Sequence, residues 1–184
     1  EGKLANVIAE MNRGNINILG LSETRWQDGG DFNSEGIRVI YAGGKQSQRG
    51  VAILLDTETA KSVIQVERHE DRILQVTLKA SPVNIKIIQV YMPTSAHGEE
   101  EIDAMYDNLE EILSQQKGTN YTILMGDWNA VFGEGQEEGY VGKFGLGVRN
   151  DRGQKLVDFC RRQKMIITNT WFKQEKRRIY TWKQ

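Results

Sequence analysis

Tyr121-Thr-Ile-Leu-Met-Gly-Asp-Trp-Asn-Ala130 is the stretch that decides how the rest of the chain is read. Tyr121 to Met125 is a short apolar, β-branched run, which predicts a buried strand. Gly126 interrupts it and allows a tight turn with close approach to a ligand. Asp127 and Asn129 follow at once, so an acid and an amide are delivered together from a rigid strand end, a favourable place for chemistry. An ordinary strand-to-loop turn would use the same residue types. The surrounding sequence has to separate the two.

The 184 residues suit one domain with a sizeable core. Cys160 is the single cysteine, so no disulfide forms within one chain. A reducing compartment, nucleus or cytoplasm, is expected. No apolar run approaches a membrane span of about 18 residues, and no signal peptide is evident. The chain opens on Glu1 rather than Met, as a fragment or processed product would. Its net charge of −1 hides an asymmetry. Residues 1–148 carry 13 Lys+Arg against 22 Asp+Glu, whereas residues 149–184 carry 11 against 3. A basic end of this kind suits a polyanion such as nucleic acid, and equally suits a solvated helix face with a tail.

Working outward, Lys3–Arg13 has Leu4, Val7, Ile8 and Met11 at helical spacing, and Gly14-Asn15 ends that helix. Ile16–Leu21 predicts a buried strand that delivers Ser22-Glu-Thr-Arg-Trp26. Further strand-like runs occupy Ile37–Tyr41, Val51–Leu55, Ser62–Val66, Ile73–Lys79 and Asn84–Val90. Their close spacing predicts hairpins and meanders rather than βαβ units. A helix is predicted from Glu99 to Gln116, with Ile102, Met105, Leu109, Ile112 and Leu113 as its apolar stripe and acids in its first turn. Val131–Val148 is a glycine-rich loop. Asn150-Asp151 caps a helix running to about Gln163, with Leu156, Phe159 and Cys160 inward. Met165–Thr168 and Ile179–Trp182 are strand-like. Strands and helices in mixed order predict an α+β sandwich of mostly antiparallel sheets covered by helices, as a single domain.

Three strand ends carry polar residues suited to phosphate chemistry: Glu23, Tyr91, and Asp127 with Asn129. Phosphodiester cleavage commonly uses Mg²⁺ held by one or two carboxylates, an activated water, and donors for the developing charge. Each residue alone has a bland explanation. Glu23 could be a turn carboxylate and Tyr91 a core or rim aromatic.

Four motifs in order make the likeness specific: Leu21-Ser-Glu-Thr-Arg-Trp26, Val90-Tyr-Met-Pro93, Met125-Gly-Asp-Trp-Asn129 and Asn169-Thr-Trp-Phe172. By these the chain resembles the endonuclease/exonuclease/phosphatase family, with its DNase I-like fold. Within that family it is most similar to endonuclease domains of RTE-type non-LTR retrotransposons and a related group of host proteins. Gly145-Leu-Gly-Val-Arg-Asn-Asp-Arg-Gly153, Leu156-Val-Asp-Phe-Cys160 and Tyr180-Thr-Trp182 extend the likeness over essentially the whole chain.

The resemblance implies a four-layer α/β/β/α sandwich and a Mg²⁺-dependent, or Mn²⁺-dependent, monomeric DNA endonuclease. It implies that Glu23 is the metal carboxylate, that Asp127 orients or deprotonates the attacking water, and that Asn129 and Tyr91 contact the scissile phosphate. Arg25, Arg149, Asn150 and Thr181 fall near positions where the family meets DNA. The family also opens with a strand carrying an Asn, and closes with an Asp strand and a Ser-Asp-His. These would lie outside residues 1–184. The two histidines, His69 in a predicted turn and His97 after Pro93, fit neither place and read as solvated surface residues. Two other readings stand beside the nuclease: a non-catalytic interaction module, and a phosphatase or phosphodiesterase of the same fold.

Overall fold

A computed structural model describes residues 2–94, 97–115 and 118–175. In order, the elements are α1 (Gly2–Arg13), β1 (Ile18–Ser22), β2 (Gly29–Ser34), β3 (Ile37–Ala42), β4 (Val51–Leu55), α2 (Thr57–Ala60), β5 (Val63–His69), β6 (Ile73–Leu78), β7 (Asn84–Tyr91), α3 (Glu99–Ser114), β8 (Asn120–Asp127) and α4 (Asp151–Gln163). They divide into two compact units, Glu1–Met92 with Gln116–Asp127, and Pro93–Gln115 with Trp128–Gln184.

The first unit holds two four-stranded sheets, ordered β1-β4-β3-β2 and β5-β6-β7-β8. All pairings are antiparallel except β7 with β8. That one is parallel because α3 intervenes as a crossover, which a hairpin turn cannot replace. The apolar code of β4 explains the layering. Val51, Ile53 and Leu55 belong to a core shared with Leu74, Val76, Leu78, Ile87 and Tyr91 of the other sheet. The alternate residues Ala52 and Leu54 pack with Ile8 and Met11 of α1. Both faces of β4 are therefore covered, and the strand reads as an unbroken hydrophobic run rather than an alternating one. Helix, sheet and sheet form three successive layers. The helices α3 and α4, expected as the fourth, belong to the second unit.

Several local expectations need correction. β1 is only half-buried along its length. β8 is an edge strand rather than a buried one, and leaves Tyr121 67% and Ile123 49% exposed. β2 was invisible because Gly29-Gly-Asp-Phe-Asn-Ser34 has no alternation; its pairing to β3 is what makes it a strand. β5 runs on to His69, which is half-buried at a strand end rather than solvated in a turn. His97 is also half-buried, with Nδ1 at 3.0 Å from the Thr94 hydroxyl.

In the second unit, α3 buries Ile102, Met105, Tyr106, Leu109 and Ile112. α4 buries Leu156, Val157, Phe159 and Cys160. Lys155 bridges to Glu99 and Asp103, and Arg162 to Glu110. Asn150 caps α4 as expected, its side-chain oxygen accepting from Gly153 N at 2.8 Å. Met165–Thr168 is not a strand. Ile167 makes a single bridge to Val141, and a 3₁₀ turn follows at Thr168–Thr170. The strand-like run Ile179–Trp182 lies outside the described residues.

Two measurements test this packing. Leu54→Ala should cost about 2–5 kcal/mol in urea denaturation, as expected for a fully buried leucine between helix and sheet; a cost under about 1 kcal/mol would mean that α1 does not cover β4. Burial pushes the Cys160 thiol up to about 11. At pH 8 only roughly one molecule in a thousand would then carry the reactive thiolate. Iodoacetamide should leave native protein unmodified at pH 8 and label it readily in urea. Equal labelling in both would place Cys160 outside the core.

Candidate active site

The loop after β1 carries Glu23, and its backbone geometry is unusual. Glu23, Arg25 and Asp28 have φ of 57°, 57° and 58°, in the left-handed region that costs a side-chain-bearing residue of order 1–3 kcal/mol. Hydrogen bonds from Thr24 N to Gly50 O and Arg25 N to Arg49 O hold it there. So does the Asp28–Gly43/Gly44 backbone pairing. A Cβ on Gly43 would fall 1.9 Å from Trp26 O, and one on Gly50 2.4 Å from the Thr24 hydroxyl. These glycines are what let the Glu23 loop lie against its neighbours.

Tyr91 ends β7 and is 5% exposed. Its hydroxyl donates to Glu23 Oε1 at 2.5 Å. Burial, this hydrogen bond and the Glu23 charge push the phenol up to about 12, with Asp127 adding to the rise and Arg72 opposing it. Tyr91 therefore stays protonated, a donor, through neutral and mildly alkaline pH. The other Glu23 oxygen lies 3.7 Å from the Arg25 guanidinium, and the Glu23 side chain is 48% exposed.

Arg72 was not singled out from sequence. It is 4% exposed, donates to Tyr91 O at 3.1 Å, and holds its guanidinium 5.1 Å from the centre of the Tyr91 ring. Tyr91 N in turn donates to Arg72 O at 2.9 Å. A cation directly before the apolar run of β6 was the available signal.

Asp127 ends β8 in register with Tyr91, and Met92 N donates to its carbonyl at 2.9 Å. Because β7 and β8 are parallel, both residues emerge at the same edge of the sheet. Gly126 is required here by its neighbour rather than by a ligand. At φ 149° a Cβ would sit 1.9 Å from the Val90 carbonyl oxygen of β7. The first unit thus brings together Glu23, Tyr91, Asp127, Arg25 and Arg72.

The remaining predicted residues lie in the second unit. Asn129 has φ 46°, a third left-handed motif residue alongside Glu23 and Arg25. Between it and Asp127, Trp128 packs against Tyr106 and Phe159, centroids 6.4 and 6.3 Å away. Arg149 is tied into the glycine-rich loop by Phe132 O at 2.9 Å, Glu137 at 2.7 Å and Gln154 at 3.1 Å. Besides capping α4, Asn150 accepts from Val131 N at 3.1 Å. Both residues build that loop. Thr181 lies outside the described residues.

Among the described residues no cluster of three or more His, Cys, Asp or Glu side chains forms a closed metal cage. A Mg²⁺ ion asks for less than such a cage, since it keeps most of its waters and takes one or two carboxylates plus substrate oxygens. Glu23 supplies such a carboxylate, at the surface.

Comparison with known proteins bears on the family and the fold. The model of the endonuclease/exonuclease/phosphatase family matches residues 1–151. Craniofacial development protein 2 of Bos taurus is 38% identical over 182 residues, which is 98% of this chain and 31% of that protein. The chain therefore spans about a third of the length of that curated relative. AP endonuclease LMAP from Leishmania major superposes with a TM-score of 0.60 at 14% identity, over 88% of this chain and 61% of that one. The endonuclease domain of TRAS1, a telomere-specific non-LTR retrotransposon, gives 0.56 at 14%, over 86% and 64%. At that identity the two solved structures establish the fold, a DNase I-like α+β sandwich. The chain belongs to the endonuclease/exonuclease/phosphatase family.

Proposed function

We propose that this chain carries the central part of a divalent-metal-dependent DNA endonuclease site, which hydrolyses phosphodiester bonds. One observation supports it above the others. Tyr91 binds the Glu23 carboxylate across the two sheets, with Asp127 in register beside it. An exposed carboxylate, a protonated phenol and a second carboxylate are thereby gathered at one edge. A phosphatase would use the same groups. The TRAS1 and LMAP neighbours are both endonucleases, which favours nucleic acid, as does the basic balance of residues 149–184.

Glu23 would hold the Mg²⁺, for which Mn²⁺ could substitute, and the bound ion would neutralise charge on the phosphate oxygens. Asp127 would accept a proton from the attacking water as the water oxygen bonds to phosphorus and the bond from phosphorus to the leaving ester oxygen breaks, that oxygen taking a proton from solvent. Tyr91 would donate to a non-bridging oxygen. A phenol has one proton, so on substrate binding that proton must swing from Glu23 to the phosphate. The side-chain amide of Asn129 would supply a second donor. Arg25, beside Glu23, would meet a neighbouring phosphate; Arg149, Asn150 and Thr181 are the further contacts proposed. Binding should then weaken steeply with salt. A monomer in nucleus or cytoplasm suits the single free, buried cysteine.

The test is plasmid nicking by the full-length polypeptide that carries these residues, with Mg²⁺ and with EDTA. Asp127→Ala should lower the rate about 10²–10⁴-fold, the usual value of a positioned acid–base group. Tyr91→Phe should lower it about 10²–10³-fold, the value of one donor to a developing oxyanion. Asp127→Ala nicking at the wild-type rate would overturn the proposal.

A further inference from the structure

The second unit presents an aromatic surface that the proposed chemistry does not use. Thr170, 1% exposed, is a post for two segments. Its hydroxyl accepts from Gly142 N at 2.7 Å and its carbonyl from Phe144 N at 2.9 Å. This draws Gly142–Phe144 alongside Thr170–Phe172, so closely that a Cβ on Gly142 would lie 2.8 Å from Trp171 Cα. The side chains beyond the post face water. Phe172 is 67% and Trp171 40% exposed, and Lys143 holds its ammonium 5.4 Å from the centre of the Phe144 ring. Lys173 follows Phe172, and the sequence continues Lys176-Arg177-Arg178.

We propose that Trp171 and Phe172, flanked by Lys143 and Lys173, are a stacking platform for an unpaired DNA strand. Aromatic faces beside cations suit a polyanion that carries flat π systems. Bases within a duplex are stacked on one another and have no free face, so the partner is single-stranded or locally unpaired. The Lys143–Phe144 contact shows the cation and a ring already within cation–π distance on this surface. The proposal rests on the chain being a DNA-acting protein, and adds the form of DNA that it engages away from the scissile phosphate.

The experiment is fluorescence anisotropy with a labelled oligothymidylate of about 16 nucleotides, the upper site size of comparable binding grooves. It is run in EDTA so that no chemistry intervenes, with a duplex of equal length as the comparison. Trp171→Ala/Phe172→Ala should weaken oligothymidylate binding roughly 5- to 150-fold, the value of stacking one base, and should weaken duplex binding far less. Trp171→Phe/Phe172→Tyr, which keeps two rings, should restore it. Lys143→Ala/Lys173→Ala should flatten the salt dependence. Both ring positions are exposed, and circular dichroism checks that each variant folds. No binding by wild type, unchanged binding by the double alanine variant, or equal loss on duplex and single strand would each overturn the proposal. Protein that shows these contrasts yet never nicks DNA would sink the nuclease assignment and leave this one standing.

Discussion

The hydrogen bond from Tyr91 to Glu23 is the interaction on which the rest of the site depends. Tyr91 ends a strand of one sheet and Glu23 follows a strand of the other, so this bond joins the two halves of the sandwich at one edge. It requires the interior beneath it to be closed. Leu74, Val76, Leu78 and Ile87 meet Ile40, Val51, Ile53 and Leu55 there, and fix the spacing of the strands from which both residues emerge. Arg72, packed under Tyr91, fixes the ring and brings a buried positive charge to a site with two carboxylates.

The loop that carries the acceptor of this bond has a strained backbone. Glu23 and Arg25 sit in left-handed backbone, as does Asn129 beyond Asp127. None of the three is glycine; the conformation is disfavoured for Glu23 and Arg25 and better tolerated by Asn129, whose residue type visits that region more readily. The Glu23 loop tolerates it because Gly43 and Gly50 admit close backbone contact that any side chain would block. The smallest residues in the sequence thus set the position of the Glu23 carboxylate without touching it.

Much of this was legible in the sequence, for reasons that differ by residue. β4, β6 and β7 are covered on one or both faces, and their apolar runs show it. α1, α3 and α4 have helical stripes with recognisable starts and stops. Glu23, Tyr91 and Asp127 could be picked out because each directly follows or ends a predicted strand. β2 could not, since its pairing with β3 creates the strand while its own residues prefer turns. The exposure of Tyr121 and Ile123 was equally hidden, because an apolar run does not reveal whether it lies at a sheet edge. Arg72 was missed because a buried cation next to an aromatic ring looks, in one dimension, like the end of a charged turn. Arg149 and Asn150 were noticed for their motif, whereas their visible work is to pin a glycine-rich loop and cap a helix.

The central claim is that Glu23 and Tyr91 act as one unit. A double-mutant cycle on DNA nicking, with Glu23→Gln, Tyr91→Phe and the pair, tests it most directly. If they are one unit, the double variant should be barely slower than the slower single variant, as for catalytic groups that act together. If the two losses instead multiply to give the double variant, each residue works independently, and the Tyr91–Glu23 bond is not the constraint around which the site is built.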